Sequence, residues 1–270
     1  GGEVRTAMAE DAIGRTIEAE WGALGNGTTA VIEVANAIGL ARLEREERDV
    51  RNASTFGVGQ LFIEALDAGF SDFIIGVGGS ATNDGGAGMI QAMGGKLTNA
   101  NGDEIARGGI ALSDLANIDV SGLDPRMVGA NVVVACDVNN PLCGTRGASA
   151  VFGPQKGATY KDIQELDVAL GNFAEIIAKD LHTDVAKIPG AGASGGLGAG
   201  LMGFFDARLR LGADIVLEAL SLDKHLEDAD LVIVGEGQFD RSTVFNKSPV
   251  AVAQRAKRRG TPVIGIAGSL

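Results

Sequence analysis

The chain has 270 residues, a formal net charge of −12 and a hydrophobic content of 45%. A chain of this length and apolar content supports two domains, and its negative charge repels nucleic acid and anionic membrane surfaces, which excludes both as expected partners. The 41 glycines cluster between apolar runs without a fixed period, which excludes a collagen-like or repeat chain and fits an α/β protein rich in close turns.

In chain order, residues 15–23 alternate as a strand, with Thr16, Ile17, Ala19 and Trp21. Residues 28–34 read as its hairpin partner across Gly25-Asn26-Gly27. The charged stretch 41–54 reads as a surface connection. Residues 57–68 carry Val58, Leu61, Phe62 and Leu66 at helical spacing, ended by Gly69. Residues 73–77 are a short buried strand, and 89–93 read as helical after a glycine-rich segment. Asn101-Gly102 marks a turn, and the β-branched run 131–136 is a strand. Residues 161–181 form an amphipathic helix with Ile163, Leu166, Leu170, Phe173, Ile176 and Ile177 on one face. Helices are expected over 201–211 and 213–227. A strand at 230–234, a helix at 249–259 and a strand at 262–267 form a crossover unit, hence parallel strands. Two strands do not make a stable sheet alone, so their neighbours are expected outside the given chain.

The apolar runs are of strand length, so no membrane-spanning helix is expected, and no signal peptide is visible. Cys136 and Cys143 match neither a disulfide framework nor a zinc site, and a reducing, cytoplasmic compartment is expected. The chain begins at Gly1-Gly2 and stops at Gly268-Ser269-Leu270 just after an apolar run, and both ends read as cut.

Five segments can carry chemistry. Residues 76–88 (GVGGSATNDGGAG) lie between a strand and a helix, where glycines let the backbone approach a phosphate and the helix start favours negative charge. Gly78, Gly79, Ser80, Asn83 and Asp84 are its candidates. The segment is neither a Walker A loop nor a dinucleotide fingerprint, and a tight turn with polar caps explains it equally well. Residues 137–144 (DVNNPLCG) follow a strand, so Asp137 can bind Mg²⁺ or position a hydroxyl, with Asn140 beside it. An Asx-turn before proline is the plain alternative. Lys156, in FGPQKG (152–157), can neutralise an anion or be a solvated turn lysine. Residues 189–198 (PGAGASGGLG) expose backbone before a helix, with Gly192, Ser194 and Gly195 as candidates against a linker reading. In GEGQFD (235–240), Glu236 stands open between glycines at a strand end. With Asp240 it suits a metal or general-base role, and Lys247 before the next helix can meet a phosphate. His182 and His225 read as surface or capping residues, Cys136 as a small core residue, and Cys143 lacks a nearby His for a nucleophile role.

Together these segments resemble the bacterial type-1 glycerate kinases along essentially the whole chain. The match is strongest at IIGVGGSATNDGGAGM (74–89). It continues in order through ACDVNNPLCG (135–144), FGPQKGA (152–158), PGAGASGGLGAG (189–200), LVIVGEG (231–237) and PVIGIAGSL (262–270). The resemblance implies a two-domain glycerate-kinase-like α/β fold. Residues 1–228 would be a central inserted α/β domain, and 229–270 part of a Rossmann-like layered domain. It also implies ATP-dependent phosphorylation of D-glycerate with Mg²⁺, giving phosphoglycerate and ADP. Asp137, Glu236, Lys156 and Asp240 would be the catalytic group, with Asp137 and Glu236, or Asp240, as metal ligands or as the base that accepts the hydroxyl proton. Gln238 stands where the family usually has Arg, and Asn246 where it usually has Gly. The family also extends beyond both ends of this chain, so a catalytically incomplete fragment that only binds ligand is one alternative, and a kinase for another small hydroxy acid is another.

Overall fold

In the computed structural model, residues 1–238 and 248–269 are described. They divide into two compact units, Gly1–Leu209 and Arg210–Leu270. The sequence reading sets its domain boundary at 228/229.

The first unit is built on a six-stranded sheet in the order β1-β2-β3-β4-β7-β8. It opens with β1 (Gly2–Glu10), β2 (Thr16–Leu24) and β3 (Thr29–Glu33). These three are antiparallel neighbours. Asn26 closes the β2–β3 turn, its side chain accepting from Thr29 N at 3.1 Å. A short helix α1 (Ala35–Ile38) follows, then α2 (Phe56–Asp67), which buries Val58, Leu61, Phe62 and Leu66. Gly69, at φ +90°, lets the chain turn out of α2 into β4 (Asp72–Gly76). Next come α3 (Ala87–Ala92), a side ribbon of β5 (Lys96–Thr98) and β6 (Asn117–Asp119), and β7 (Asn131–Ala135). After α4 (Ala148–Phe152), the long helix α5 (Tyr160–Leu181) starts on a capping box. Thr159 N donates to Asp162 Oδ2 at 2.9 Å, and Asp162 N donates back to Thr159 Oγ1 at 3.2 Å. Leu166, Leu170, Phe173 and Ile177 of α5 enter the core, as their spacing requires. The chain then runs through α6 (Leu197–Phe205) into β8 (Arg208–Arg210).

Phe62 anchors the core, its ring centroid 4.8 Å from Phe73 on β4. Strands β3, β4 and β7 are parallel, and their last residues stand in register, Glu33 beside Gly76 and Gly76 beside Ala135. The loops after β4 and β7 therefore leave the sheet side by side at its carboxyl edge, where open α/β sheets place ligands.

The second unit holds α7 (Gly212–Ala219), α8 (Leu222–His225), β9 (Val232–Gln238), α9 (Ser248–Arg258) and β10 (Val263–Ser269). β9 and β10 are parallel, with Val263 beside Val232, as the crossover spacing requires. Arg255 ties α9 to the helices before it, donating to Asp214 Oδ1 at 2.9 Å and Asp223 Oδ2 at 3.0 Å.

Several elements depart from the sequence reading, which named none of α1, α4, β5, β6 or β8. β1 was not anticipated, although it pairs with β2 along its whole length. The helix expected over 201–211 starts at Leu197 and stops at Phe205, because Asp206 turns left-handed at φ +50°. The helix expected over 213–227 is broken at Ser221, which is also left-handed at φ +53°. Among the described residues, no helix is long and apolar enough to cross a membrane.

Candidate active site

A cavity of about 280 Å³ opens at the carboxyl edge of β4 and β7. Its walls bring together Gly78, Gly79 and Ser80 after β4, Asp137 after β7, Lys156 after α4, and Ser194 before α6. These residues come from four separate segments singled out in the sequence. A larger cavity of about 1010 Å³ lies near the opposite end of β7, around Asn131 and Val132, and holds none of those candidates.

Backbone contacts hold the loops. Leu40 N donates to Gly79 O at 2.8 Å, and Ala81 N to Ile38 O at 2.8 Å, so the first glycine loop is pinned on α1 and the turn after it. Gly85 N donates to Gly195 O at 3.1 Å, joining the two glycine loops. The Asn140 carbonyl accepts from Gly190 N at 3.2 Å and Gly192 N at 3.0 Å, and its side chain donates to Arg146 O at 2.8 Å. Asn140 is thus a clamp between the loops. Gly192 packs on that clamp, since a Cβ there would lie 2.3 Å from Pro141 O.

Lys156 is the unexpected residue. Instead of a solvated turn lysine it is only 2% exposed. Its Nζ donates to Thr82 O at 2.7 Å and Ser80 Oγ at 3.2 Å. Burial pulls its pKa down to about 7, against the opposing pull of Asp84. The amine therefore gains or loses its proton near neutrality, which suits a group that meets anions in a catalytic site.

Asn83 and Asp84 lie wholly inside the protein and do not line the cavity. Asn83 Nδ2 donates to Ser149 Oγ at 2.9 Å, tying the loop to α4. Asp84 accepts from Thr55 N and Oγ1 and from Gly86 N and Gly88 N. Ser194 is left-handed at φ +54°, and its buried Oγ has no hydrogen-bond partner among the described residues. Sequence reasoning passed over Thr55, whose only signal is its place just before α2, and Gln155, which lines the cavity beside Lys156.

Cys136 is buried, its thiol donating to Val138 O at 3.3 Å, while burial pushes Cys143 up to about 12 and keeps it protonated. Glu236 sits within β9 of the second unit. Asp240 and Lys247 lie outside the described residues. Among the described residues no three His, Cys, Asp or Glu side chains converge as a metal cluster.

Comparison with known proteins gives one consistent match. A family model described as "Glycerate kinase family" matches residues 1–270. A glycerate kinase of Halalkalibacterium halodurans is 52% identical over 269 residues, covering 100% of this chain and 71% of the relative. The glycerate 2-kinase of Escherichia coli K12 is likewise 52% identical, with the same shares covered. A crystal structure from Salmonella typhimurium LT2, named as a glycerate kinase 2, superposes with a TM-score of 0.93 at 52% identity. That match covers 100% of this chain and 72% of the other.

Proposed function

The chain belongs to the glycerate kinase family, and on that premise we propose that it transfers the γ-phosphoryl group of ATP to a hydroxyl of D-glycerate, giving phosphoglycerate and ADP. The observation that carries this reading is the cavity at the carboxyl edge of β4 and β7. There backbone glycines, a buried amine and a carboxylate face the same space.

Phosphoryl transfer needs positioning and neutralisation of charge more than covalent help. Gly78 and Gly79 bring backbone close to the ligand without a side chain in the way. The Lys156 ammonium offsets charge on a phosphate or on the glycerate carboxylate. The Ser194 hydroxyl, without a partner among the described residues, is placed to bond a ligand oxygen. Mg²⁺ keeps several waters and takes one or two carboxylates plus phosphate oxygens. An exposed carboxylate such as Asp137 fits that demand without a dedicated protein cage. When bound with ATP, the ion would screen the phosphate charge. The family resemblance supports Asp137 and Glu236 as candidates for the two carboxylate tasks, holding that ion and accepting the hydroxyl proton. Asp240 and Lys247 complete the proposed set on the resemblance alone.

The resemblance also supports reading the unit with the six-stranded sheet as the inserted domain. It supports reading the β9–α9–β10 unit as part of the split Rossmann-like domain.

ADP release from ATP and Mg²⁺, with and without D-glycerate, tests the assignment. Glycerate-dependent release is expected, and Asp137→Asn and Glu236→Gln should each lower it by about 100-fold or more. If both variants stay within a few-fold of wild type, the carboxylate assignment fails. Nucleotide binding without turnover assigns the chain a ligand-binding role, and turnover only with a different hydroxy acid reassigns the acceptor.

A further inference from the structure

A buried carboxylate lies two residues beyond the carbonyl that holds Lys156, and the mechanism above leaves it unused. Lys156 Nζ spends two donors on Thr82 O and Ser80 Oγ. An ammonium has three N–H groups, so one remains for the cavity that Lys156 lines.

Asp84 is 0% exposed. It accepts from Thr55 N at 2.8 Å, Thr55 Oγ1 at 2.9 Å, Gly86 N at 3.1 Å and Gly88 N at 3.2 Å. Thr55 Oγ1 itself accepts from Met89 N at 2.9 Å, which leaves its own proton for Asp84. Three of these neighbours are backbone N–H groups, which can only donate, and the Thr55 hydroxyl already accepts from Met89 N, so the arrangement favours the carboxylate over the protonated acid. Burial raises the Asp84 pKa above the usual carboxylate value, and the four donors offset that rise only in part, so it is the orientation of these donors that favours the charged form. A buried carboxylate also needs a counter-charge, and Lys156, bonded to the carbonyl two residues before Asp84, is the buried cation anchored on the same loop. Charged groups near Lys156 include Asp137, on the wall of the same cavity, and Arg48, whose Nη1 donates to Gln155 O at 3.1 Å.

We propose that Asp84 is a positioning residue for the kinase reaction: its buried carboxylate holds Lys156 as an ammonium, so that the remaining N–H of Nζ meets an anionic oxygen of the ligand in the cavity. The proposal rests on the cavity being the anion site described above. Without the Asp84 charge, one force opposing desolvation at Lys156 is removed and the amine becomes neutral at lower pH.

The protonation of Lys156 can be read in the ligand-free protein by trace acetylation with acetic anhydride across pH, quantified by mass spectrometry of the Lys156 peptide. This readout does not depend on turnover. Asp84→Asn should move the midpoint to lower pH by about one unit or more, and the alkaline limb of kcat/KM should move with it. An unchanged midpoint overturns the proposal even if kcat or stability falls, because a purely structural role produces those losses too. If Asp84→Asn does not fold, Thr55→Val removes one of the four donors and should shift the midpoint the same way by less. No shift there overturns the proposal equally. A shifted midpoint in an active enzyme whose pH profile stays fixed overturns the positioning role. If the wild-type chain shows no glycerate-dependent turnover, the functional reading fails while the acetylation midpoint still decides the Asp84–Lys156 coupling.

Discussion

A Cβ on Gly195 would lie 2.0 Å from the carbonyl oxygen of Thr82, the same oxygen that accepts the Lys156 ammonium. The second glycine loop is therefore pressed against the first at the point where the buried amine is anchored. Gly195 also has φ +67°, where an L side chain is strained. Gly195→Ala should cost about 2–4 kcal/mol, combining the backbone strain with a clash that only loop movement relieves. Denaturant unfolding checks the stability, and activity at low temperature, where the variant stays folded, should still be reduced because the Lys156 anchor has moved.

The Lys156 pKa of about 7 sets a direction for the pH dependence. The amine is charged below that value and neutral above it, so binding that needs the ammonium is lost as pH rises. The kcat/KM profile, which reports the free enzyme, should show an alkaline limb near 7. A bound anion favours the charged form, so the kcat limb should lie at higher pH. Lys156→Met should abolish the difference between the two profiles and lower kcat/KM by about 100-fold or more. Steady-state kinetics from pH 6 to 9 check both.

Part of this arrangement was legible in the sequence because glycines and polar residues cluster in the loops that follow strands and precede helices, although each segment alone also fitted an ordinary turn or linker. Gly78, Gly79, Ser80, Asp137, Lys156 and Ser194 were picked from four separate segments, and all line one cavity. What the sequence hid was depth. Asp84 and Lys156 are charged, and charged residues are rarely fully buried unless paired. The donors that allow burial here come from Thr55, Gly86 and Gly88, and the Thr55 partnership spans 29 positions. No local pattern marks such a contact. β1 escaped because Arg5 and Glu10 interrupt a chain start of small residues. It gains its regularity from pairing with β2, a tertiary contact rather than a local preference.

His182 ends α5 in the left-handed conformation at φ +58°, with its side chain exposed. Glycine takes that conformation without strain, though it also gives the unfolded chain more freedom. His182→Gly should therefore stabilise the first unit by about 0.5 kcal/mol. It lines none of the cavity described at the carboxyl edge, so turnover should be unchanged, and thermal unfolding with a parallel assay checks both halves.

Ser194 gives the opposite pairing of effects. Its φ of +54° strains a serine, and its buried Oγ lacks a hydrogen-bond partner among the described residues. Both features cost stability, by about 1 kcal/mol for the backbone and a similar amount for the desolvated hydroxyl. Ser194→Gly should raise the unfolding free energy or leave it level. If the hydroxyl bonds a ligand oxygen, the same change should raise KM by about 5- to 10-fold. Stability retained with affinity lost marks a residue kept for binding. Ser194→Ala separates the two contributions, because it removes the hydroxyl and keeps the strain. It should show the same rise in KM with less gain in stability, whereas an unchanged KM in both variants would remove Ser194 from the binding site.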